Sequence, residues 1–300
     1  MTLLVCGDTH ITIDSIEELR DIFQEVSTYG TKDTILVILG DMYDLKRPSP
    51  RETYFGTYSI NFLKQYFKDI VLLTGNHAEL EKELTNVDYL KFLNITVCDE
   101  YEISESKDNA GIFFGHFMTN VSKMQFGKED KDRNIDALSE YKLVLLGHQH
   151  SFQKLTDTVF HLGSCRWTSY SEINDKEKYI CKIDGDKVDF ITLKSPFPMK
   201  EVNSIKELKE VNPKTKILLT YNSFEQYKNE IKEIGKWKDK FKKFKIKLDF
   251  QELQIMEYVK CKDGSDYETL FNTFLTSIKD AEVRKLLEES YNFIKEDTIQ

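Results

Sequence analysis

Five short stretches of this chain place metal-competent side chains directly after apolar runs: GDTH at 7–10, GDMYD at 40–44, GNH at 75–77, GH at 115–116 and GHQH at 147–150. Of the six histidines in the sequence, only His161 lies outside these stretches. Taken singly, each has an ordinary explanation. A histidine after a strand is usually a hydrogen-bonded turn residue, and Gly-Asp opens many turns. Five in succession are harder to explain structurally, because such ends meet only where several strands converge on one rim, and the strand ends of α/β sheets are where ligands sit. Carboxylate, amide and imidazole together suit borderline-hard divalent metals. A pair of such ions about 3.5–4 Å apart needs a bridging carboxylate, open coordination positions and room for a bridging hydroxide aimed at phosphorus. Neutral imidazoles in the set limit the negative charge that would repel a phosphate. The chemistry implied is phosphoester hydrolysis.

The elements that must position these residues can be read from the apolar pattern. LLVC (3–6) predicts a strand, followed by a capping-box spacing at Ser15-Ile16-Glu17-Glu18 and a helix with Ile16, Leu19, Ile22, Phe23 and Val26 on one face. The theme repeats with ILVIL and a helix over 51–67, then IVLL and a helix over 79–92. Strands that are apolar throughout imply a sheet covered on both faces. Later runs (IFFGHF, LVLLGH, TVFHLG, KYICKI, KVDFITL) have few helices between them and predict a β-rich half. SPFP at 195–198 carries two of the five prolines and marks a boundary. Beyond it, KTKILLTYN, a helix from Ser223 and FKIKLDF read as a small βαβ unit. Two amphipathic helices close the chain, one with Tyr267, Leu270, Phe271, Phe274, Leu275 and Ile278, the other with Val283, Leu286, Leu287, Tyr291 and Ile294.

With 300 residues, 40% of them hydrophobic, the chain can build one large or two ordinary cores. The first residues lack a basic leader region and no segment offers 18 uncharged apolar residues, so neither a signal peptide nor a membrane span is expected. Cys6, Cys98, Cys165, Cys181 and Cys261 are odd in number and never C-x-x-C, which fits a reducing cytoplasm (a host's, for a viral chain). A net charge of −9 argues against polyanion binding by the whole surface. One patch runs the other way: Lys228 to Lys247 holds nine lysines against three acids, interleaved with Trp237, Phe241 and Phe244. It reads either as a solvated amphipathic face or as a surface that meets phosphate backbone.

In this order, D-x-H, GD-x-x-D, GNH, GH and GHxH resemble the signature of the calcineurin-like metallophosphoesterases over residues 7–150. The resemblance implies a four-layer αββα sandwich within the α/β class and two divalent metal ions, with Mn favoured. Asp8, His10 and His150 would bind one ion and Asn76, His116 and His148 the other, with Asp41 bridging. His77 would be the non-ligand histidine that approaches the scissile phosphate. Within the family, GDMYDLKRPSP, GHQHSFQ and FHLGSCRWTSYSE are similar to segments of the Mre-eleven and SbcD DNA-repair nucleases. Departures are Ala78 after GNH, Asp44 where many relatives have His, Phe152 in place of Pro and Cys165 where Pro is frequent. Lys46, Arg47 and Arg166 are candidates to hold substrate phosphates, or else surface salt-bridge residues.

This branch implies a nuclease domain at 1–194, a capping DNA-binding domain at 199–253 and a helical region at 262–300 that docks on an SbcC-type coiled-coil ATPase. It also implies a homodimer, for which the helices over 51–67 and 79–92 are the candidate face, and DNA as substrate, cut both as a double-strand exonuclease and a single-strand endonuclease. Two other readings remain. A phosphatase or small-molecule phosphodiesterase on the same fold would leave the last hundred residues unexplained. A non-catalytic scaffold would have lost ligands, whereas every expected ligand is present here.

Overall fold

The computed structural model describes residues 1–81, 84–104, 111–123 and 133–249 and the single positions 275, 284, 285 and 288. The chain divides into two compact units, Met1–Pro198 and Met199–Gln300. In chain order the first carries β1 (Thr2–Cys6), α1 (Ile16–Ser27), β2 (Thr34–Ile38), α2 (Pro50–Leu63), β3 (Asp69–Leu73), β4 (Glu79–Glu81), β5 (Leu84–Thr85), β6 (Thr96–Cys98), β7 (Tyr101–Ile103), β8 (Ile112–Gly115), β9 (Leu143–Leu146), β10 (Gln153–Lys154), β11 (Val159–His161), β12 (Tyr179–Asp184) and β13 (Lys187–Thr192).

These strands form a six-stranded sheet, β13-β12-β1-β2-β3-β6, and a five-stranded sheet, β10-β11-β9-β8-β7. Alternation along each strand builds the layers. Leu4, Cys6, Leu36, Ile38, Ile70 and Leu72 pack under Leu19, Ile22 and Phe23 of α1 and Phe55, Ile60 and Leu63 of α2. Their neighbours Leu3, Val5, Val37, Val71 and Leu73 pack against Phe114, Leu143 and Leu145 of the second sheet. Burial on both faces accounts for the unbroken apolar runs, each such side chain contributing about 1.5–3 kcal/mol. The outer face of the second sheet (Phe113, Val144, Leu146, Val159) is covered, among the described residues, by Leu138 of a 3-10 turn over Ile135–Leu138 rather than by a full helix.

Pairing is parallel along β1-β2-β3-β6 and along β8-β9-β11, so the C-terminal ends of β1, β2 and β3 share one edge of the first sheet, and those of β8 and β9 one edge of the second. The five motifs begin at those ends.

Local chemistry differs from the pattern reading in two places. Ser15 does not cap α1. Its hydroxyl accepts from Thr12 N–H at 2.8 Å, while Glu18, almost fully buried, accepts from the Phe197 backbone at 2.8 Å and so anchors the SPFP segment. Among its described residues, the stretch 79–92 forms no α-helix. β4 and β5 make a short antiparallel hairpin, and a 3-10 turn follows at Asp88–Leu93. The Asp88 carboxylate draws Thr85 into that turn, accepting from its N–H at 2.7 Å and its hydroxyl at 2.9 Å, and Asn86 N–H bonds back to Ala78 O at 2.8 Å. By contrast α2 starts as a capped helix should. Ser49 is the N-cap, Pro50 follows it, and the Glu52 carboxylate accepts from Ser49 N–H at 2.6 Å.

The second unit holds β14 (Met199–Val202), β15 (Lys216–Tyr221), α3 (Phe224–Lys238) and β16 (Lys243–Leu248), with a parallel sheet in the order β14-β15-β16. The segment β15-α3-β16 is a βαβ unit whose core includes Ile217, Leu219, Tyr221, Tyr227, Ile234 and Phe241. Along β16, Lys243, Lys245 and Lys247 are exposed and Phe244, Ile246 and Leu248 are half-buried. The amphipathic helices expected over 262–300 lie outside the described residues apart from single positions. Among the described residues no helix is long and apolar enough to cross a membrane.

Candidate metal centre

Among the described residues, three of the four non-glycine residues with positive φ are motif residues: His10 at 44°, Asp41 at 40° and His148 at 76°. Such conformations cost about 1–3 kcal/mol each and persist only where the surroundings over-determine them. Here the surroundings do. His10 N–H bonds to Asp41 O at 2.9 Å, joining the turns after β1 and β2, and His148 N–H bonds to Asp8 Oδ2 at 2.9 Å, joining the two sheets. The glycines that open the motifs permit this approach. A Cβ on Gly75 would come within 2.3 Å of Asp41 Oδ1, and one on Gly147 within 2.6 Å of Asp8 Oδ1.

The side chains gather in two groups, Asp8 with His10 and His150, and Asp41 with His116 and His148, with possible ligand atoms in each group within 4.8 Å of one another. Asn76 adds its Oδ1 to the second group, 3.0 Å from His116 Nε2 and 2.8 Å from His148 Nδ1. Asp41 lies between the groups, its Oδ2 being 3.2 Å from His116 Nε2 and 3.8 Å from His10 Nε2. Two buried atoms here, Asp8 Oδ1 and His10 Nε2, have no hydrogen-bond partner. A carboxylate oxygen and an imidazole lone pair side by side are atoms that a divalent metal takes as ligands, so the donor set fits such an ion.

Electrostatics fits the same purpose. Burial would raise the Asp41 carboxyl, but the hydrogen bond and charge of His116, the charge of His10 and the N–H of His77 hold it well below the usual carboxylate range. Burial disfavours a charged His116, yet the carboxylates of Asp8 and Asp41 push its pKa up to about 9. Burial lowers His10. Without metal, protons take up part of the charge compensation that cations would give.

Residues 1–191 match the model of the calcineurin-like phosphoesterase family. The chain belongs to that family. Its members are metal-dependent phosphoesterases, and this phosphoesterase carries two groups of possible metal ligands at its motif ends. No curated protein sequence matches it. A solved archaeal phosphodiesterase is similar over 64% of this chain and 100% of its own length, at 18% identity and a TM-score of 0.37. That overlap is too loose to inform the site.

His77 sits beside this phosphoesterase centre. Its N–H donates to Asp41 Oδ1 at 2.9 Å and its Nδ1–H to Asp44 O at 2.5 Å, leaving Nε2 for a substrate. Asp44 also places Oδ1 3.3 Å from His10 Nδ1. Lys46 and Arg47 are exposed. Asn86 Nδ2 lies 3.2 Å from the carbonyls of Leu45 and Lys46 and 3.3 Å from that of His77, which stitches the basic corner to the histidine turn.

Arg166 departs from the expectation that it holds phosphate. It is 3% exposed, and its guanidinium donates to Thr9 O at 3.0 Å, His10 O at 2.5 Å and Trp167 O at 3.5 Å, with Glu18 3.7 Å away. With its donors committed to carbonyls, it holds the backbone of the GDTH turn.

A second brace escaped the motif reading. His150 Nδ1–H donates to Thr168 Oγ1 at 2.8 Å, and that hydroxyl donates to Glu172 Oε1 at 2.5 Å, so Nε2 faces the ligand group. Glu172 is fully buried and paired with buried Lys178 at 2.5 Å, and Lys178 also reaches His150 O at 3.0 Å and Asp175 at 2.9 Å. Burial opposes ionisation of Glu172, but the hydrogen bond from His150 and the Lys178 charge hold it well below the usual range; in turn Glu172 raises His150 against burial. The spacing Ser169-x-x-Glu172 is a capping-box pattern and predicts the local turn; its second use, beneath a ligand 22 residues earlier, has no local signature.

Proposed function

We propose that this phosphoesterase is a Mn-dependent DNA phosphodiesterase, the nuclease subunit of an SbcC/SbcD-type repair and recombination complex. The observation that carries the DNA reading is the corner Arg47-Pro48-Ser49-Pro50, similar to that of the Mre-eleven and SbcD nucleases. It leads from Asp41 into the capped start of α2, and Asn86 ties the two residues just before it, Leu45 and Lys46, to the carbonyl of His77. Exposed Lys46 and Arg47 then meet phosphates next to the centre.

Asp8, His10 and His150 would hold one cation, Asn76, His116 and His148 the other, and Asp41 both. When bound, the pair supplies Lewis acidity toward the phosphoryl oxygens and a nucleophile from water at neutral pH. The chain's own residues do the rest. Asp41 is oriented by the His77 N–H, and His77, fixed through Nδ1 to Asp44 O, presents Nε2 to the phosphoryl or leaving sugar oxygen. The lysine face of β16 supports backbone contact by the second unit. Tyr54 and Tyr58, one turn apart on α2 and 73% and 53% exposed, with Phe92 89% exposed on the following 3-10 turn, support a homodimer face. The region 262–300 remains the proposed dock for the ATPase. Mn-dependent cleavage of linear duplex and of single-stranded circles by wild type, abolished in both His77→Ala and Asp41→Ala, is the expected result. Undiminished cleavage by both variants would end the assignment.

One observation favours a small phosphodiester instead. A 720 Å³ cavity runs outward from Asn76 and His116, and its walls include the carboxylates of Glu79, Glu81, Asp88, Asp99 and Glu100 against Lys91 and Arg133. Such a surface opposes a polyanion on that side. Turnover of aryl phosphodiesters without any cleavage of DNA would decide for this reading.

A further inference from the structure

His161 is the one histidine outside the metal motifs, and it is fully buried. It ends β11, paired in register with Leu146 of β9, so its ring lies against the start of the GHQH turn. Nδ1 is 3.1 Å from Gly147 O. A carbonyl only accepts, so the proton is on Nδ1 and Nε2 is an acceptor. Ser122 Oγ, 2.8 Å away, supplies the donor for Nε2, and is itself set by Thr119, whose N–H donates to it at 2.9 Å. The tautomer is therefore dictated from outside the metal centre. The segment that carries Ser122 is also fastened to the turn region, with Lys123 O accepting from Gln149 Nε2 at 2.9 Å and from Gln153 Nε2 at 2.8 Å.

Gly147 C=O and His148 N–H belong to one peptide unit. Its carbonyl is held by His161 and its N–H, pointing the opposite way, by Asp8 Oδ2 at 2.9 Å. This clamped plane delivers His148 into its left-handed conformation, φ 76°, and fixes the Asp8 carboxylate so that Oδ1 is left to the centre. We infer that His161 is a positioning residue for both metal sites, acting through the Gly147–His148 peptide on His148 in one and Asp8 in the other. A histidine that merely satisfies a buried carbonyl would matter for folding alone. A positioning residue must alter metal affinity in a way that follows which ring nitrogen is replaced.

The inference rests on the metal-centre reading, and its test is Mn2+ affinity, by calorimetry and by the electron paramagnetic signal of free Mn2+, with thermal melting of the metal-free proteins measured in parallel. His161→Asn keeps a donor at the place of Nδ1; His161→Gln keeps polar atoms only at the place of Nε2; His161→Leu keeps neither. The expected result is affinity within about threefold of wild type for the Asn variant and a loss of about tenfold to a hundredfold for Gln and Leu. Should the Leu variant not fold, the Asn and Gln pair decides. Wild-type affinity in the Gln variant, or a loss in the Asn variant as large as in the Gln variant, would overturn the inference. A wild-type chain that takes up no Mn2+ would instead overturn the metal centre itself, and this inference with it.

Discussion

The two ligand groups are braced differently. Around Asp8, His10 and His150 the protein has built a shell of buried charge: Arg166 grips the carbonyls of Thr9 and His10, and Thr168, Glu172 and Lys178 hold His150 from behind. Around Asn76, His116 and His148 the braces, apart from the Asp8 carboxylate on His148 N–H, are neutral, with His161 on the Gly147 carbonyl and a backbone carbonyl on His116. His116 donates Nδ1–H to Leu39 O at 2.7 Å, Asn76 is exposed, and the 720 Å³ cavity opens at both. Rigid ligand placement reduces the ordering cost of binding, and exposure lets water compete. The difference teaches that one centre can contain a site built to keep its ion and a site built to be reached. We therefore expect unequal affinities, with the Asp8 site the tighter.

The largest effect should come from the residue that belongs to neither group alone. Asp41→Asn is expected to lose more than about a hundredfold in phosphodiester turnover, beyond what a change outside the ligand set costs, and to weaken uptake at both sites in a metal titration. Next in size is the brace. Glu172→Gln leaves Lys178 buried without its main partner and should cost about 3–5 kcal/mol in denaturant melts while weakening the Asp8 site about tenfold to a hundredfold. Glu172→Gln combined with Lys178→Met should recover much of the stability and none of the affinity. Recovery of both would mean the brace serves folding only.

A proton titration separates the groups more gently. In the metal-free protein the folded pKa of His116 is about 9, above the ordinary 6.5, because of Asp8 and Asp41. Its contribution to stability is thus present below about pH 6.5 and lost as pH rises through 9. Buried His161, pulled down to about 4 by burial against one hydrogen bond to Gly147, runs the opposite way: its contribution is present above 6.5 and lost as pH falls through 4. Melting of the metal-free chain against pH should show both slopes, with the alkaline one removed by Mn2+ and by His116→Gln. The smallest expected effect is at Lys46 and Arg47. On the proposed DNA reading, their alanine variants should raise KM for DNA a few fold, leave kcat nearly unchanged and make the salt dependence shallower.

Much of the first unit was legible because its determinants are local. A run such as ILVIL, buried on both faces, can only be a central strand, and an Asp two residues beyond it is delivered to the sheet edge. The gathering of the motif side chains was legible for the same reason, since each motif sits at a strand end. What escaped depends on contacts distant in sequence. Arg166 reads as a free cation until it is seen under the carbonyls of residues 9 and 10, and Glu172 reads as a helix-cap residue until it is seen beneath His150. The 79–92 stretch failed differently. Its apolar positions allow a helix, but Asp88 and Asn86 offer the backbone turn hydrogen bonds that compete with one.

The most direct test of the unequal, Asp41-linked pair is a calorimetric Mn2+ titration of the wild-type chain beside Asn76→Ala. Two ions per chain with separable affinities are expected, the variant keeping the tighter and losing the weaker. Two equal sites, a single site in wild type, or loss of both ions in Asn76→Ala would contradict it.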